Sequence, residues 1–72
     1  MAYKVFYKKL GARVRHYRKD KELTIEKLAE FVNLNVSFLG EMERGRKKPS
    51  LDTLCKIAKV LDIDVCLFFK FN

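Results

Sequence analysis

Apolar residues recur at helical spacing along most of this 72-residue chain, and this periodicity restricts its fold more than any other feature. Later segments repeat the pattern, and no segment is confidently predicted to be a strand, although "CLFFKF" is apolar enough to form one. We therefore predict an all-α fold. In the first segment the apolar residues lie within a stripe about 100° wide: Tyr3, Phe6, Tyr7, Leu10, Val14 and Tyr17.

Residues that begin and end helices divide the chain into five predicted helices. Asn33 can adopt the left-handed conformation that ends a helix, and Gly45 suits the position just after one. We therefore expect five helices within a single domain, residues 1–72. Polar residues that can accept hydrogen bonds from a first helical turn precede the four later segments: Thr24, Asn35, Ser50 and Asp64.

The charges are grouped in blocks along the chain. The net charge is +7, and residues 1–21 carry eight cations and one acid. Residues 22–43 carry one cation and five acids, and residues 44–48 add four cations. A strongly basic chain favours nucleic acid or another polyanion as its partner.

Cysteine and histidine content gives little support for catalysis or metal binding. Cys55 and Cys66 lack CxxC spacing, and His16 is the single histidine. We therefore predict no metal, no cofactor, no small-molecule ligand and no enzyme. Apolar runs fall well short of the roughly 20 residues of a membrane span, and the first residues lack a signal-peptide core. The absence of disulfide spacing favours a reducing cytoplasm.

Glu43 directly precedes the basic loop, which we define as residues 44–48. Helical angles place Glu43 on the same side as the apolar Leu39, whereas the neighbouring cations point outward. A buried carboxylate needs a cationic partner. Arg18, at the border of the first apolar stripe, is the candidate. The alternative is that Glu43 is solvated at the end of its helix.

Three motifs occur in an order typical of a known family: "LGARVRHYR" at Leu10–Arg18, "LTIEKLAE" at Leu23–Glu30 and "MERGRKKPSLDTLCKIAKVLDI" at Met42–Ile63. With these motifs the chain resembles the phage-repressor-like helix-turn-helix domain of the xenobiotic-response-element type. The resemblance covers nearly the whole chain, residues 6–69.

This resemblance implies a compact five-helix bundle of the lambda-repressor-like type. Residues 24–43, approximately, would form the helix-turn-helix unit, with the third helix in the major groove of double-stranded DNA. In that family the arginine that matches Arg18 commonly pairs with the glutamate that matches Glu43. The implied function is a DNA-binding transcriptional regulator that occupies an operator.

Carried over by position, the resemblance also implies the DNA contacts. The candidates for base edges are Val36, Ser37, Gly40 and Glu41, and those for phosphates are Thr24, Arg44, Arg46, Lys47 and Lys48. The base-contacting set holds no residue placed for a bidentate base contact, Gly40 offers no side chain, and Glu41 repels phosphate. We therefore expect weak base discrimination, with affinity that comes largely from the flanking cations.

Two departures from the family pattern leave other functions open. Ile25 stands where the family often has glutamine, and Asn33 stands where it has glycine. The alternative to an operator-binding regulator is a protein-interaction module, such as an adapter or an antitoxin, that keeps the fold with a weakened base-contacting face. Nonspecific DNA binding through the basic first helix is a third possibility.

The C-terminal run "VCLFFKF" predicts an assembly surface in segment 64–72. A short turn can direct only part of this run toward its own core, and an exposed apolar patch marks an interaction surface. We expect a homodimer, because a twofold dimer would place two recognition helices about 34 Å apart. Alternatively, the tail folds back onto Tyr3 and Phe6. The predicted interface residues are Val65, Leu67, Phe68, Phe69 and Phe71.

Overall fold

A computed structural model describes residues 2–71. It contains helices α1 (Ala2–Asp20), α2 (Ile25–Val32), α3 (Val36–Glu43) and α4 (Leu51–Leu61), then a 3-10 turn (Val65–Phe69). The all-α class is confirmed, and no strand occurs within residues 2–71. The fifth predicted helix is a 3-10 turn instead, a geometry that short helical pieces favour. None of the helices in this described part is long and apolar enough to cross a membrane.

Local hydrogen bonds explain where each later element begins. Asn33 ends α2 in the left-handed conformation with φ 57°, as predicted. The hydrogen bond from the backbone N–H of Cys66 lowers the pKa of the Asp64 carboxyl. The four predicted N-caps are confirmed, since each accepts from a backbone N–H of its first turn: Thr24 from Lys27, Asn35 from Ser37 and Phe38, Ser50 from Thr53, and Asp64 from Cys66.

The core lies where the four helices and the 3-10 turn meet. Hydrophobic side chains from every element are removed from water there, which is the main force that holds so small a fold together. Two turns of α1 contribute Leu10 and Val14, and the 3-10 turn contributes the largest of the fully buried side chains, Phe68. The other large side chains that are fully buried in this core are Leu28, Leu39, Met42, Ile57 and Leu61.

The prediction that Phe68 belongs to a dimer interface is wrong. Its exposure is 0%, so its ring belongs to the core of its own chain and not to a dimer surface. Arg13 of α1 holds the turn in place, because its Nε and Nη2 each lie 3.4 Å from the carbonyl oxygen of Leu67. Burial of a phenyl ring removes a large apolar area from water, which favours this inward position.

The remainder of the tail also lies against α1. Phe6 stacks on Phe69 with ring centroids 6.3 Å apart, and it meets Phe71 edge-on at 5.4 Å. This is the alternative in which the tail folds back over its own bundle. The burial is incomplete, since Phe6 keeps 37% and Phe69 keeps 38% of its surface exposed.

Candidate nucleic-acid interface

Two glycines allow the basic loop and the end of α3 to lie directly against the backbone of α1. A Cβ at Gly11 would stand 2.5 Å from the carbonyl oxygen of Glu43, and closer still to that of Met42. Gly45 has φ +80°, and a Cβ there would lie 2.6 Å from the Cα of Lys8. Neither position has room for a side chain, and Gly45 also needs a conformation that favours glycine.

The contact of Gly11 was not predicted. A glycine inside a helix costs about 1 kcal/mol relative to alanine, which makes an interior glycine a signal of close packing. That signal was present in the sequence of α1 but could not identify the partner helix. The structure shows that the partner is the C-terminal end of α3.

Arg18 and Glu43 form the predicted ion pair between α1 and α3. The Arg18 Nε lies 2.7 Å from Glu43 Oε2, and Nη2 lies 3.1 Å from Oε1, so the contact is bidentate. The side chains are 8% and 3% exposed. The Arg18 Nη1 also donates to the carbonyl oxygen of Leu23, at 2.6 Å. One guanidinium therefore joins α1, the end of α3 and the turn that leads into α2.

The N-terminal ends of α2 and α3 border a shallow groove at the surface. Val36 is 42% exposed, and Ser37 and Thr24 are also exposed. The Thr24 oxygen accepts the N–H of Lys27 at 3.1 Å, which leaves its O–H as a donor. Of the four base-edge candidates, Val36 and Ser37 are the two that present exposed side chains.

Arginine side chains of the basic loop lie against the other two base-edge candidates, Gly40 and Glu41. Gly40 is buried, and a Cβ there would be 3.5 Å from the Arg44 guanidinium. Glu41 lies with Oε1 3.5 Å from Arg44 Nη2 and Oε2 3.6 Å from Arg46 Nη1. These are ion pairs longer than hydrogen bonds. A phosphate that binds either arginine would therefore compete with the Glu41 carboxylate.

The basic loop presents its remaining cations to solvent. Lys47 and Lys48 are both exposed. The Lys48 ammonium lies 5.8 Å from the ring centroid of Tyr3 and 5.7 Å from that of Tyr7, both on α1. Cation–π attraction of this kind restrains an otherwise mobile lysine. These two contacts could not be predicted from sequence, since they join residues more than forty positions apart.

A helix-turn-helix unit fixed by a buried ion pair and flanked by an exposed basic loop defines the class of this domain. The family model described as helix-turn-helix (HTH_3) matches residues 14–68. The chain belongs to this helix-turn-helix family, as the sequence motifs predicted.

Named relatives agree with this assignment. The immunity repressor protein of Bacillus phage phi105 is 45% identical over 56 residues, which cover 78% of this chain and 39% of that protein. The ImmF control region 10 kDa protein of the same phage is 36% identical over 58 residues, 81% of this chain and 64% of that protein. The chain thus spans less than two thirds of either relative.

A solved structure matches at nearly equal length. The restriction-modification controller protein C.AhdI from Aeromonas hydrophila superimposes with a TM-score of 0.84 at 38% sequence identity. The match covers 88% of this chain and 96% of that one.

Proposed function

We propose that this domain is a DNA-binding transcriptional regulator, not an enzyme, that occupies an operator with α3 in the major groove. The observation that carries the proposal is the α2–α3 unit with exposed Val36 and Ser37 beside an exposed basic loop. A major groove admits an α-helix, and a helix N-terminus favours phosphate through its free N–H groups. The names of the phage relative and of the solved controller protein support regulation.

Each candidate contact residue has a chemical role in this proposal. Val36 can contact a thymine methyl group, and Ser37 can hydrogen-bond to several bases. Thr24 and the cations of loop 44–48 contact phosphates, and Glu41 can accept from cytosine N4 once its arginines turn to DNA. Such a regulator would act in the cytoplasm, where free thiols such as those of the exposed Cys55 and Cys66 persist.

Neutralising two loop cations is expected to weaken binding to every DNA sequence. Log K falls by about 0.9 per log unit of salt for each phosphate neutralised. The double variant Arg46→Gln/Lys47→Gln should therefore reduce the salt slope by about 1.8, as measured by fluorescence anisotropy on random-sequence duplexes. The matched control is Lys9→Gln/Lys59→Gln, which removes the same charge from two exposed residues that lie outside the basic loop and outside the shallow groove.

Equal slopes for the two double variants would show that the loop does not contact phosphates. Ser37→Ala separates the base contact from these charge effects. It should change the preference among sequences, by about 1–3 kcal/mol at a contacted base pair, and leave the salt slope unchanged.

A protein-interaction module remains the second candidate. It is favoured by one observation, the Glu41 carboxylate that pairs with both Arg44 and Arg46 on the face that DNA would approach. If the wild-type protein binds no duplex DNA even at low salt, the interaction module is favoured over the DNA-binding regulator.

We also propose a homodimer that uses the part of the tail left exposed. Phe6 and Phe69 stack on each other and expose more than a third of each side chain, so a second copy could cover both. The half-buried Val65, Leu67 and Phe71 complete this face. A twofold dimer would present two α3 helices to DNA and would raise the effective concentration of the second.

Phe69→Arg is expected to convert the dimer to a monomer, because the new charge would be buried without a partner. Sedimentation equilibrium should show a dimer for the wild type and a monomer for the variant. The control is Phe31→Arg, since Phe31 is 56% exposed and belongs to α2 rather than to the tail. A monomeric wild type at tens of micromolar, or a variant that stays dimeric, would refute this interface.

A further inference from the structure

A long surface groove runs between α1 and the basic loop. Its volume is about 1320 Å³, which is above the roughly 300–1,000 Å³ of small-molecule pockets. Gly45 is part of its wall, where the loop lies against the backbone of Lys8 on α1. A groove this long and open is better matched to a polymer than to a small ligand.

One wall of the groove is a row of cations on α1: Lys4, Lys8, Arg15 and Lys19. Viewed down the helix they fall within about 60° of one another at 100° per residue, and they extend over about 22 Å at 1.5 Å per residue. All four side chains are exposed. Each strand of duplex DNA carries one phosphate per about 3.4 Å of helix axis, so this row could meet several consecutive phosphates.

The opposite wall adds three cations of the basic loop: Arg44, Arg46 and Lys48. Among the described residues that line the groove, Glu43 is the one acid, and its carboxylate is paired with Arg18. The groove therefore carries a concentrated positive charge, which attracts polyanions.

The groove is continuous with the helix-turn-helix surface. Arg44 lines both this groove and the shallow one between the N-terminal ends of α2 and α3. A DNA backbone that leaves the helix-turn-helix contacts near Arg44 would thus pass directly along α1. Lys4 and Lys8 precede residue 14, where the match to the family model begins.

We infer that α1 and loop 44–48 form a second phosphate-binding track, which holds the DNA backbone that flanks the helix-turn-helix contacts. This inference rests on the proposed DNA binding and adds Lys4, Lys8, Arg15 and Lys19 to it. The Tyr3 and Tyr7 rings position Lys48 at the edge of the track. The track raises affinity without reading sequence, because phosphates are the same at every base pair.

The test compares Lys4→Gln/Lys8→Gln with the charge-matched control Lys9→Gln/Lys59→Gln on long random-sequence duplexes. The first pair should lower the salt slope by about 1.8, whereas the control should stay near the wild type. A second measurement uses the unmodified protein. Acetic anhydride should modify Lys4 and Lys8 more slowly in the DNA complex than in the free protein, with Lys59 unaffected.

Three outcomes would overturn the inference. If the wild type binds DNA, both double variants keep its salt slope, and DNA does not slow the acetylation of Lys4 and Lys8 in the wild type, the track is absent and the proposed function stands. If the wild type binds no DNA, both proposals fail. If Lys4→Gln/Lys8→Gln weakens binding to poly-glutamate but not to DNA, the groove takes an acidic peptide instead.

Discussion

Replacing Arg18 by alanine is expected to lower the free energy of unfolding by about 3–5 kcal/mol. The Glu43 side chain is 3% exposed, so the substitution leaves its carboxylate buried without a counterion. It also removes the donor at 2.6 Å from the carbonyl oxygen of Leu23. The free energy of unfolding of a small domain is only about 5–15 kcal/mol. The variant should therefore unfold at a much lower temperature and a much lower urea concentration than the wild type, as followed by circular dichroism.

Two further variants make this result specific to the ion pair. Arg15→Ala removes an exposed arginine one turn earlier on the same helix and should change stability by less than about 0.5 kcal/mol. The double variant Arg18→Met/Glu43→Leu removes both charges and should recover much of the loss. An Arg18→Ala protein that melts within a degree or two of the wild type would contradict the buried pair.

The helix boundaries and the ion pair could be predicted because their causes are local. Thr24, Asn35 and Ser50 accept N–H groups only two or three residues away, so the sequence alone identifies them. The inward position of Glu43 follows from helical angles measured from Leu39. The identity of its partner needed one further fact, that a cation stands at the border of the first apolar stripe.

The tail could not be predicted in the same way, because contacts distant in sequence determine its position. In the run 65–71 nearly every residue is apolar, so no periodicity distinguishes the buried Phe68 from the exposed Phe69. The orientation of the turn is held by Arg13, which is distant in sequence and donates hydrogen bonds to the Leu67 carbonyl oxygen. The division of the tail is therefore a tertiary effect.

The base-contacting face shows a similar limit. Val36 was a candidate through the family resemblance alone, whereas helical angles measured from Leu39 correctly place Ser37 at the surface. They contain no information on the arginines of the following loop, which turn back over Gly40 and toward Glu41. Position on a helix predicts which residues point outward, but long side chains from a neighbouring segment decide which of them remain accessible.

Gly11→Ala is expected to destabilise the domain by about 3 kcal/mol, at the upper end of the usual cost of overpacking. The new methyl group would collide with the carbonyl oxygens of Met42 and Glu43. These are backbone atoms at the end of α3, so they cannot rotate away as a side chain could. Relief requires α1 and α3 to separate, which would also strain the Arg18–Glu43 contact.

Gly40→Ala provides the matched control, since both substitutions replace a helical glycine by alanine. At Gly40 the nearest atoms to the new methyl group are the Arg44 guanidinium nitrogens at 3.5 and 3.6 Å, an ordinary contact. This variant should therefore gain up to about 1 kcal/mol from helix propensity alone. If urea denaturation shows a lower free energy of unfolding for Gly11→Ala and a higher one for Gly40→Ala, the loss at Gly11 is due to the close contact between the backbones of α1 and α3. If Gly11→Ala is as stable as Gly40→Ala, α1 and α3 do not make the close backbone contact described here.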